Sequence, residues 1–173
     1  MRKVVIILIG VFLFGCKSTQ PVNGKLDSEL AIHTILNQWH IDAAETNFNN
    51  YFNAMADDAI FIGTDATENW NKSAFIKFAK PYFDKGKAWN FTALERNIYF
   101  SSDKKTAWFD ELLNTQMKIC RGSGVLVVDK NGNWKIKQYV LSMTIPNDHT
   151  DEVVKIKTLI EDKEIEKLKN QTK

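Results

Sequence analysis

The sequence predicts an α+β fold in which a curved antiparallel sheet packs on helices that precede it in the chain. In the first half of the chain, apolar residues recur at three- and four-residue steps, as in amphipathic helices. After Trp89, four long segments rich in β-branched and aromatic residues follow one another. Asn131-Gly132 is a strong turn signal between the last two segments. Helices followed by an antiparallel meander favour a cone-shaped sheet that encloses a pocket.

The first predicted helix begins at Asp27 or Ser28, either of which can cap its N-terminus. Its buried stripe consists of Ile32, Ile35, Leu36, Trp39 and Ala43. Residues 47–50 interrupt this pattern, and a short second helix is predicted to carry Phe48, Tyr51, Phe52 and Met55. A short strand over residues 59–63 comes next. The third predicted helix begins at residues 71–73 and ends at residues 81–86.

The second half of the domain is predicted to be sheet. The four strands are predicted over residues 91–100, 106–117, 119–128 and 134–145. The final segment, residues 148–173, is highly charged and has Val153, Ile156, Leu159 and Ile160 in helical register. It is predicted to be a surface helix or a solvated tail.

Residues 1–15 have the pattern of an export signal. Arg2 and Lys3 precede an apolar run of about a dozen residues, which is short of the ~20 needed to span a bilayer. An uncleaved anchor and an ordinary secretory signal remain alternatives. Without residues 1–15, 21 of the 23 basic residues remain against 21 acidic ones, so the net charge falls from +2 to about zero. This balance argues against nucleic-acid binding, which needs several cations on one face.

The end of this segment, Leu13-Phe14-Gly15-Cys16, resembles the lipobox of bacterial lipoproteins. The resemblance implies that Cys16 becomes the lipidated N-terminus, and that residues 16–26 are a flexible tether. Lys17 is not the aspartate that retains lipoproteins at the inner membrane of well-studied Gram-negative bacteria. We therefore expect a lipid-anchored protein of the cell envelope, at the outer membrane and facing the periplasm. Cys120 then has no disulfide partner and is predicted to be a buried structural thiol.

The globular part resembles the SnoaL-like branch of the nuclear transport factor 2-like superfamily. The residues that carry the resemblance are Trp39-His40, Tyr51-Phe52, the segment from Phe61 to Trp70, Pro81-Tyr82-Phe83, Trp108 to Glu111, Arg121 to Val125, Trp134 to Ile136 and Leu141-Ser142. The match predicts a domain over residues 27–147 with a pocket between the sheet and the helices. It also implies a homodimer packed through the sheet. Members range from isomerases and polyketide cyclases to domains without known activity, so the fold does not settle the function.

Strand alternation predicts which residues face the pocket, since residues two apart share a face. If Asn131-Gly132 is a two-residue turn, the inner face carries Trp108, Asp110, Arg121, Ser123, Gln138 and Ser142. Glu111 then points outward. A turn longer by one residue would reverse the pairing. The predicted ligand-binding residues are Trp39, Tyr51, Glu68, Trp70, Tyr82, Trp108, Arg121, Gln138 and Ser142. The alternatives are core packing for the aromatic residues and helix capping for Glu68.

Asp110 is the candidate general base, with Tyr51 or Tyr82 as hydrogen-bond donor. A structural ion pair between Asp110 and Arg121 is the competing interpretation. His40 is either an acid/base partner or a hydrogen-bonded helix histidine. Many members of the resembled family have histidine on the last strand, where this chain has Gln138 and Val140. That departure weakens the case for an enzyme.

Three hypotheses follow. The first is a lipid-anchored domain that binds a small ligand, without a cofactor. The second is an isomerase, cyclase or hydratase that uses Asp110. The third is a dimeric or partner-binding envelope lipoprotein. No trio of histidine, cysteine and carboxylate has metal-ligand spacing, so no metal site is predicted.

Overall fold

A computed structural model describes residues 24–171 and confirms the predicted α+β fold. The helices are α1 (Gly24–Ala44), α2 (Phe48–Asn53), α3 (Lys72–Asp84) and α4 (Thr150–Gln171). The strands are β1 (Met55–Ile62), β2 (Asn69–Asn71), β3 (Thr92–Phe100), β4 (Thr106–Thr115), β5 (Lys118–Val128) and β6 (Trp134–Met143). A 3₁₀ turn, Asn147–His149, precedes α4. The predicted export signal, Cys16 and most of the predicted tether lie outside the described residues.

One six-stranded sheet has the order β2-β1-β6-β5-β4-β3. The last four strands form the predicted antiparallel meander. The first strand pairs antiparallel with β2 and parallel with β6, with Phe61 opposite Tyr139. This parallel pairing brings the N-terminal half of the chain onto the free edge of the meander.

The helix boundaries follow local signals in most places. Asn71 caps α3, its Oδ1 accepting from the backbone N–H of Ala74 at 2.9 Å. The prediction that Met55 lies on the second helix is wrong, because Met55 is the first residue of β1 and pairs with Ile136. An apolar residue between a short helix and a strand does not show which of the two it belongs to, since either element would bury its side chain.

The space between the helices and the sheet is filled by side chains. The large residues that are almost fully buried there include Trp39, Tyr51, Phe61, Phe75, Phe109, Leu126, Ile136 and Tyr139. Many of the aromatic rings touch: Phe61 stacks on Phe75 with centroids 4.0 Å apart. Such aromatic contacts stabilise the core beyond their buried area. The predicted pocket inside the cone is therefore occupied by the protein's own core.

The β5–β6 turn decides which way the strands face. Asp129 pairs with Asn133, and Gly132 adopts a φ of 84°, so the loop is one residue longer than a two-residue turn. A bulge then places Val125 opposite Gln138 but Leu126 opposite Ile136. The extra residue on β6 turns Tyr139 inward instead of Gln138.

The predicted inner face is consequently wrong over most of its length. The pairs Val125–Gln138, Ser123–Val140 and Arg121–Ser142 do form, but on the side of the sheet away from the helices. The residues that point toward the helices on β4 and β5 are Ala107, Phe109, Glu111, Leu113, Cys120 and Leu126. Glu111, predicted to point outward, is thus inside, whereas Asp110 is outside.

Helix α4 is a well-formed surface helix, which answers the choice between helix and tail. Its apolar residues Ile156, Leu159 and Ile160 are exposed. Among the residues that the structure describes, no helix has the length and apolarity needed to cross a membrane.

Candidate functional site

The predicted ligand-binding residues lie in three separate places. Trp39 and Tyr51 are in the core. Glu68, Trp70 and Tyr82 are on or near the β1–β2 loop and α3. The remaining ones, Trp108, Asp110, Arg121, Gln138 and Ser142, share the side of the sheet away from the helices. The sequence grouping of this last set is correct, but its location is not an enclosed pocket.

Trp39 and Tyr51 are structural in this fold. Their rings stack with centroids 4.8 Å apart, and Trp39 Nε1 donates to the backbone oxygen of Tyr51 at 3.1 Å. Burial raises the pKa of the Tyr51 hydroxyl well above its ordinary value. These two residues attach α1 to α2.

Glu68, Trp70 and Tyr82 do not converge on a common cavity. Glu68 Oε2 accepts from the backbone N–H of Asp65 at 3.2 Å and so closes the β1–β2 loop. It does not cap α3, a role taken by Asn71. Trp70 stacks on Phe78 with centroids 4.4 Å apart, and Tyr82 is exposed on α3.

Asp110 lies on the outward side of β4 and is half-buried. Its Oδ1 accepts from Asn97 Nδ2 at 3.3 Å. The competing prediction, an ion pair between Asp110 and Arg121, is wrong: Arg121 is exposed and pairs across the ladder with Leu112 and Ser142 instead. The location of Asp110 argues against its use as a base in an enclosed site, although its chemical role stays a prediction.

We call the side of the sheet away from the helices the outer face. Its apolar members are Ile60, Ile62, Tyr99, Trp108, Leu112, Val125 and Val140. Tyr99 and Trp108 stack with centroids 6.1 Å apart and are each 46% exposed. The stacked rings therefore belong to an apolar patch of the sheet that remains exposed to water.

The inner side of the sheet carries a buried polar cluster centred on Glu111, whose side chain is 0% exposed. Its Oε1 accepts from His40 Nε2 at 3.0 Å and from the Tyr139 hydroxyl at 2.9 Å. Its Oε2 lies 2.8 Å from Arg96 Nε and 2.7 Å from Arg96 Nη2. The cluster therefore joins α1, β3, β4 and β6.

Arg96 extends the cluster to the preceding turns of α1. Its Nη1 donates to Asn37 Oδ1 at 2.9 Å and to the backbone oxygen of His33 at 3.3 Å. Burial raises the pKa of Glu111, but the hydrogen bond and charge of His40 and Arg96 more than offset this and hold it below its ordinary value. Burial, reinforced by the Glu111 charge, raises the pKa of Tyr139 well above its ordinary value. Glu111 is therefore ionised and Tyr139 protonated at neutral pH.

Sequence reasoning missed Glu111 and Arg96 as partners of His40. Two signals could have found them. His40 follows Leu36 by four residues, which places it beside the buried stripe of α1. Gly122 is the second signal, because a side chain there would meet the Tyr139 hydroxyl and, at 2.8 Å, Glu111 Oε1. A glycine in a strand interior marks such a close approach.

His40 also forms part of the lining of a cleft of about 320 Å³ between the C-terminal half of α1 and the start of β3. The lining residues are Asn37, His40, Ile41, Ala44, Asn90, Phe91, Thr92 and Ala93. Its size is near the lower end for small-molecule sites. Within residues 24–171, no group of three histidine, cysteine or carboxylate side chains is placed to hold a metal ion.

Comparison with known proteins supports the fold. The family model described as a SnoaL-like domain matches residues 32–146. A nuclear transport factor 2-like protein of unknown function from Pseudomonas putida KT2440 superposes with a TM-score of 0.60 at 12% identity, over 70% of this chain and 90% of that chain. No curated protein matches the chain in sequence.

Two further solved structures share the fold. A proposed scytalone dehydratase from Novosphingobium aromaticivorans has a TM-score of 0.59 at 13% identity, covering 70% of this chain and 87% of its own. A proposed calcium/calmodulin-dependent kinase II association domain from Exiguobacterium sibiricum has a TM-score of 0.55 at 15% identity, covering 74% and 98%. At these identities the likeness concerns the fold alone.

Proposed function

Because the chain belongs to the SnoaL-like domain family, we propose that it works as a lipid-anchored, homodimeric binding domain outside the cytoplasm. The observation that carries the dimer is the outer face, where stacked Tyr99 and Trp108 are half-exposed without a partner. The Leu13–Cys16 segment supports the anchor. Lys17 supports an outer-membrane location facing the periplasm.

A second copy of this chain is the partner that best suits the outer face. Asp110 and Arg121 both lie on this face and do not pair with each other within one protomer. In a two-fold interface the contacts are reciprocal, so each charge can meet its opposite on the other copy. A related fold that is named an association domain supports the same use.

The dimer is tested by replacing Trp108 with glutamate. A charge in the centre of a buried interface is costly, so W108E should be monomeric at concentrations where the unaltered protein is a dimer by analytical ultracentrifugation. Tyr82→Glu is a matched control, since Tyr82 is also 46% exposed but lies on α3. A monomeric unaltered protein, or a W108E variant that dimerises as well as Y82E, would refute the proposal. Far-UV circular dichroism confirms that both variants are folded.

The lipid anchor is tested separately. Cys16→Ser should abolish palmitate labelling and leave an unprocessed precursor, because the thiol is the acylation site. Cys120→Ser is the control and should be labelled like the unaltered protein, since Cys120 is buried in the domain. Labelling of C16S would exclude lipidation at this position.

The isomerase, cyclase or hydratase alternative is less well supported by the geometry. It would require Asp110 to act on the open outer face rather than in an enclosed site. Small-ligand binding, the first hypothesis from the sequence, cannot use the cone interior while aromatic side chains fill it. Any small ligand must use a cleft at the periphery.

A further inference from the structure

We propose that the cleft between α1 and β3 is a binding site for a small neutral molecule whose hydroxyl group forms a hydrogen bond with His40 Nδ1. The site is on the helix side of the sheet, away from the outer face, so it does not depend on the dimer proposed above. Four observations support it: the cleft, the burial of His40, the bonding of its ring and the chemistry of the walls.

The bonding of the ring defines what His40 offers to a ligand. Glu111 is ionised and can only accept hydrogen bonds, so His40 Nε2 carries the hydrogen of the 3.0 Å contact. Nδ1 is therefore the ring nitrogen that is left for a ligand, and a hydroxyl group can pair with it in either charge state of the ring, because a hydroxyl group both donates and accepts hydrogen bonds. No hydrogen bond to Nδ1 is present among residues 24–171. The ring is 4% exposed, and it lines the cleft.

The cluster behind the ring holds the ring in place. Arg96 Nη2 lies 2.7 Å from Glu111 Oε2, so the carboxylate that orients His40 is itself anchored to β3. Tyr139 donates to the same Oε1 atom as His40. A histidine that is oriented by a carboxylate has a fixed tautomer and a fixed ring position, and its other nitrogen is the functional one.

The walls of the cleft select the class of ligand. Phe91, Ile41 and Ala93 form apolar sides, whereas Asn37 and Asn90 supply amide groups. The lining contains no lysine, arginine or carboxylate. An anionic ligand would find no lysine or arginine there, whereas a small ring that carries a hydroxyl group matches both the apolar sides and His40 Nδ1.

Phenol and cyclohexanol are suitable probes, with benzoate as the anionic control of similar size. In ¹H–¹⁵N spectra of the folded protein, phenol should shift the backbone amides of Asn90, Phe91 and Ala93 in a saturable way. Long-range imidazole spectra should show hydrogen on His40 Nε2, and the His40 Nδ1 signal should shift as phenol binds. Benzoate should bind at least about tenfold more weakly, which corresponds to about 1.4 kcal/mol.

Two variants remove the site by different means. His40→Phe removes the ring nitrogens, and Ala44→Phe fills the cleft from an exposed position on α1. Both should weaken phenol binding by at least about tenfold. His33→Gln is the control, since His33 is on the same helix and contacts Arg96 but does not line the cleft.

The outcomes separate clearly. Saturable binding of phenol that is lost in H40F and A44F and kept in H33Q supports the site. If H40F does not fold, A44F and the imidazole spectra of His40 decide. Absence of saturable binding by both neutral probes, equal binding of benzoate, unchanged binding in A44F, or a His40 Nδ1 signal that phenol does not shift would each overturn the proposal.

Discussion

Glu111→Gln tests the energetic role of the buried cluster most directly. The substitution keeps the length and volume of the side chain but removes its negative charge. Glu111 is fully buried, and the side chain of Arg96 is 3% exposed, so E111Q would leave a buried guanidinium without its counter-ion. Its amide group can also replace only part of the acceptor capacity that Arg96, His40 and Tyr139 now use.

The size of the effect follows from this burial. Removing one partner of a buried ion pair costs about 3–5 kcal/mol, because the remaining charge stays desolvated. A domain of this size has a free energy of unfolding of about 5–15 kcal/mol. E111Q should therefore lose a large fraction of its stability while it remains folded at moderate temperature.

Urea denaturation followed by tryptophan fluorescence measures the change, as a lower midpoint at an unchanged slope. Asp110→Asn is a matched control, since it removes a carboxylate from the adjacent position of the same strand. Asp110 is half-buried on the outer face and has one side-chain hydrogen bond, so D110N should change stability by less than about 1 kcal/mol. If E111Q is no less stable than D110N, the cluster does not stabilise the fold and the reasoning is refuted.

Three further predictions concern the same region. The folded-state pKa of Glu111 lies below its ordinary value of 4.5, so the ionised carboxylate stabilises the fold at neutral pH. This stabilisation is lost as pH falls below about 4.5 through the folded-state pKa. The free energy of unfolding measured between pH 6 and pH 3 should therefore fall less steeply in E111Q, and equal slopes would contradict the assigned partners. Gly122→Ala should lower the free energy of unfolding by about 1–3 kcal/mol, measured by thermal or urea denaturation, because the added carbon would lie 2.8 Å from Glu111 Oε1. Ser123→Ala, on the other side of β5, should be nearly neutral. The reverse order would show that β5 faces the other way. The Cys120 thiol is 0% exposed and should react with a thiol reagent only after unfolding, which a colorimetric assay with and without urea detects; rapid reaction of the folded protein would contradict its burial.

Helices α1 and α3 and the meander could be predicted because their signals are local. The three- and four-residue apolar steps of α1 and the cap at Asn71 act within a few residues. The family resemblance was equally accessible, since it rests on the order of short motifs, and the match over residues 32–146 confirms it.

The site was harder to predict from the sequence, because it depends on which side of each strand faces the helices. Each side of β4 has one acidic residue between two apolar ones, so Asp110 and Glu111 are equivalent candidates in the sequence. The longer turn at Gly132 and the bulge on β6 decide which of the two faces the helices, and no local pattern predicts a bulge. His40 was recognised as a candidate, but its partners Glu111 and Arg96 lie 71 and 56 positions further along the chain.

By itself, the sequence determined the α+β class, the order of the elements and the family, since periodicity and capping are properties of neighbouring residues. The tertiary structure alone decided that the cone interior is filled, that Asp110 faces outward and that Glu111 joins His40 to Arg96. The physical reason is that a shift of one residue in a strand exchanges its two faces. That exchange depends on the register of β5 and β6, which only the packed sheet defines.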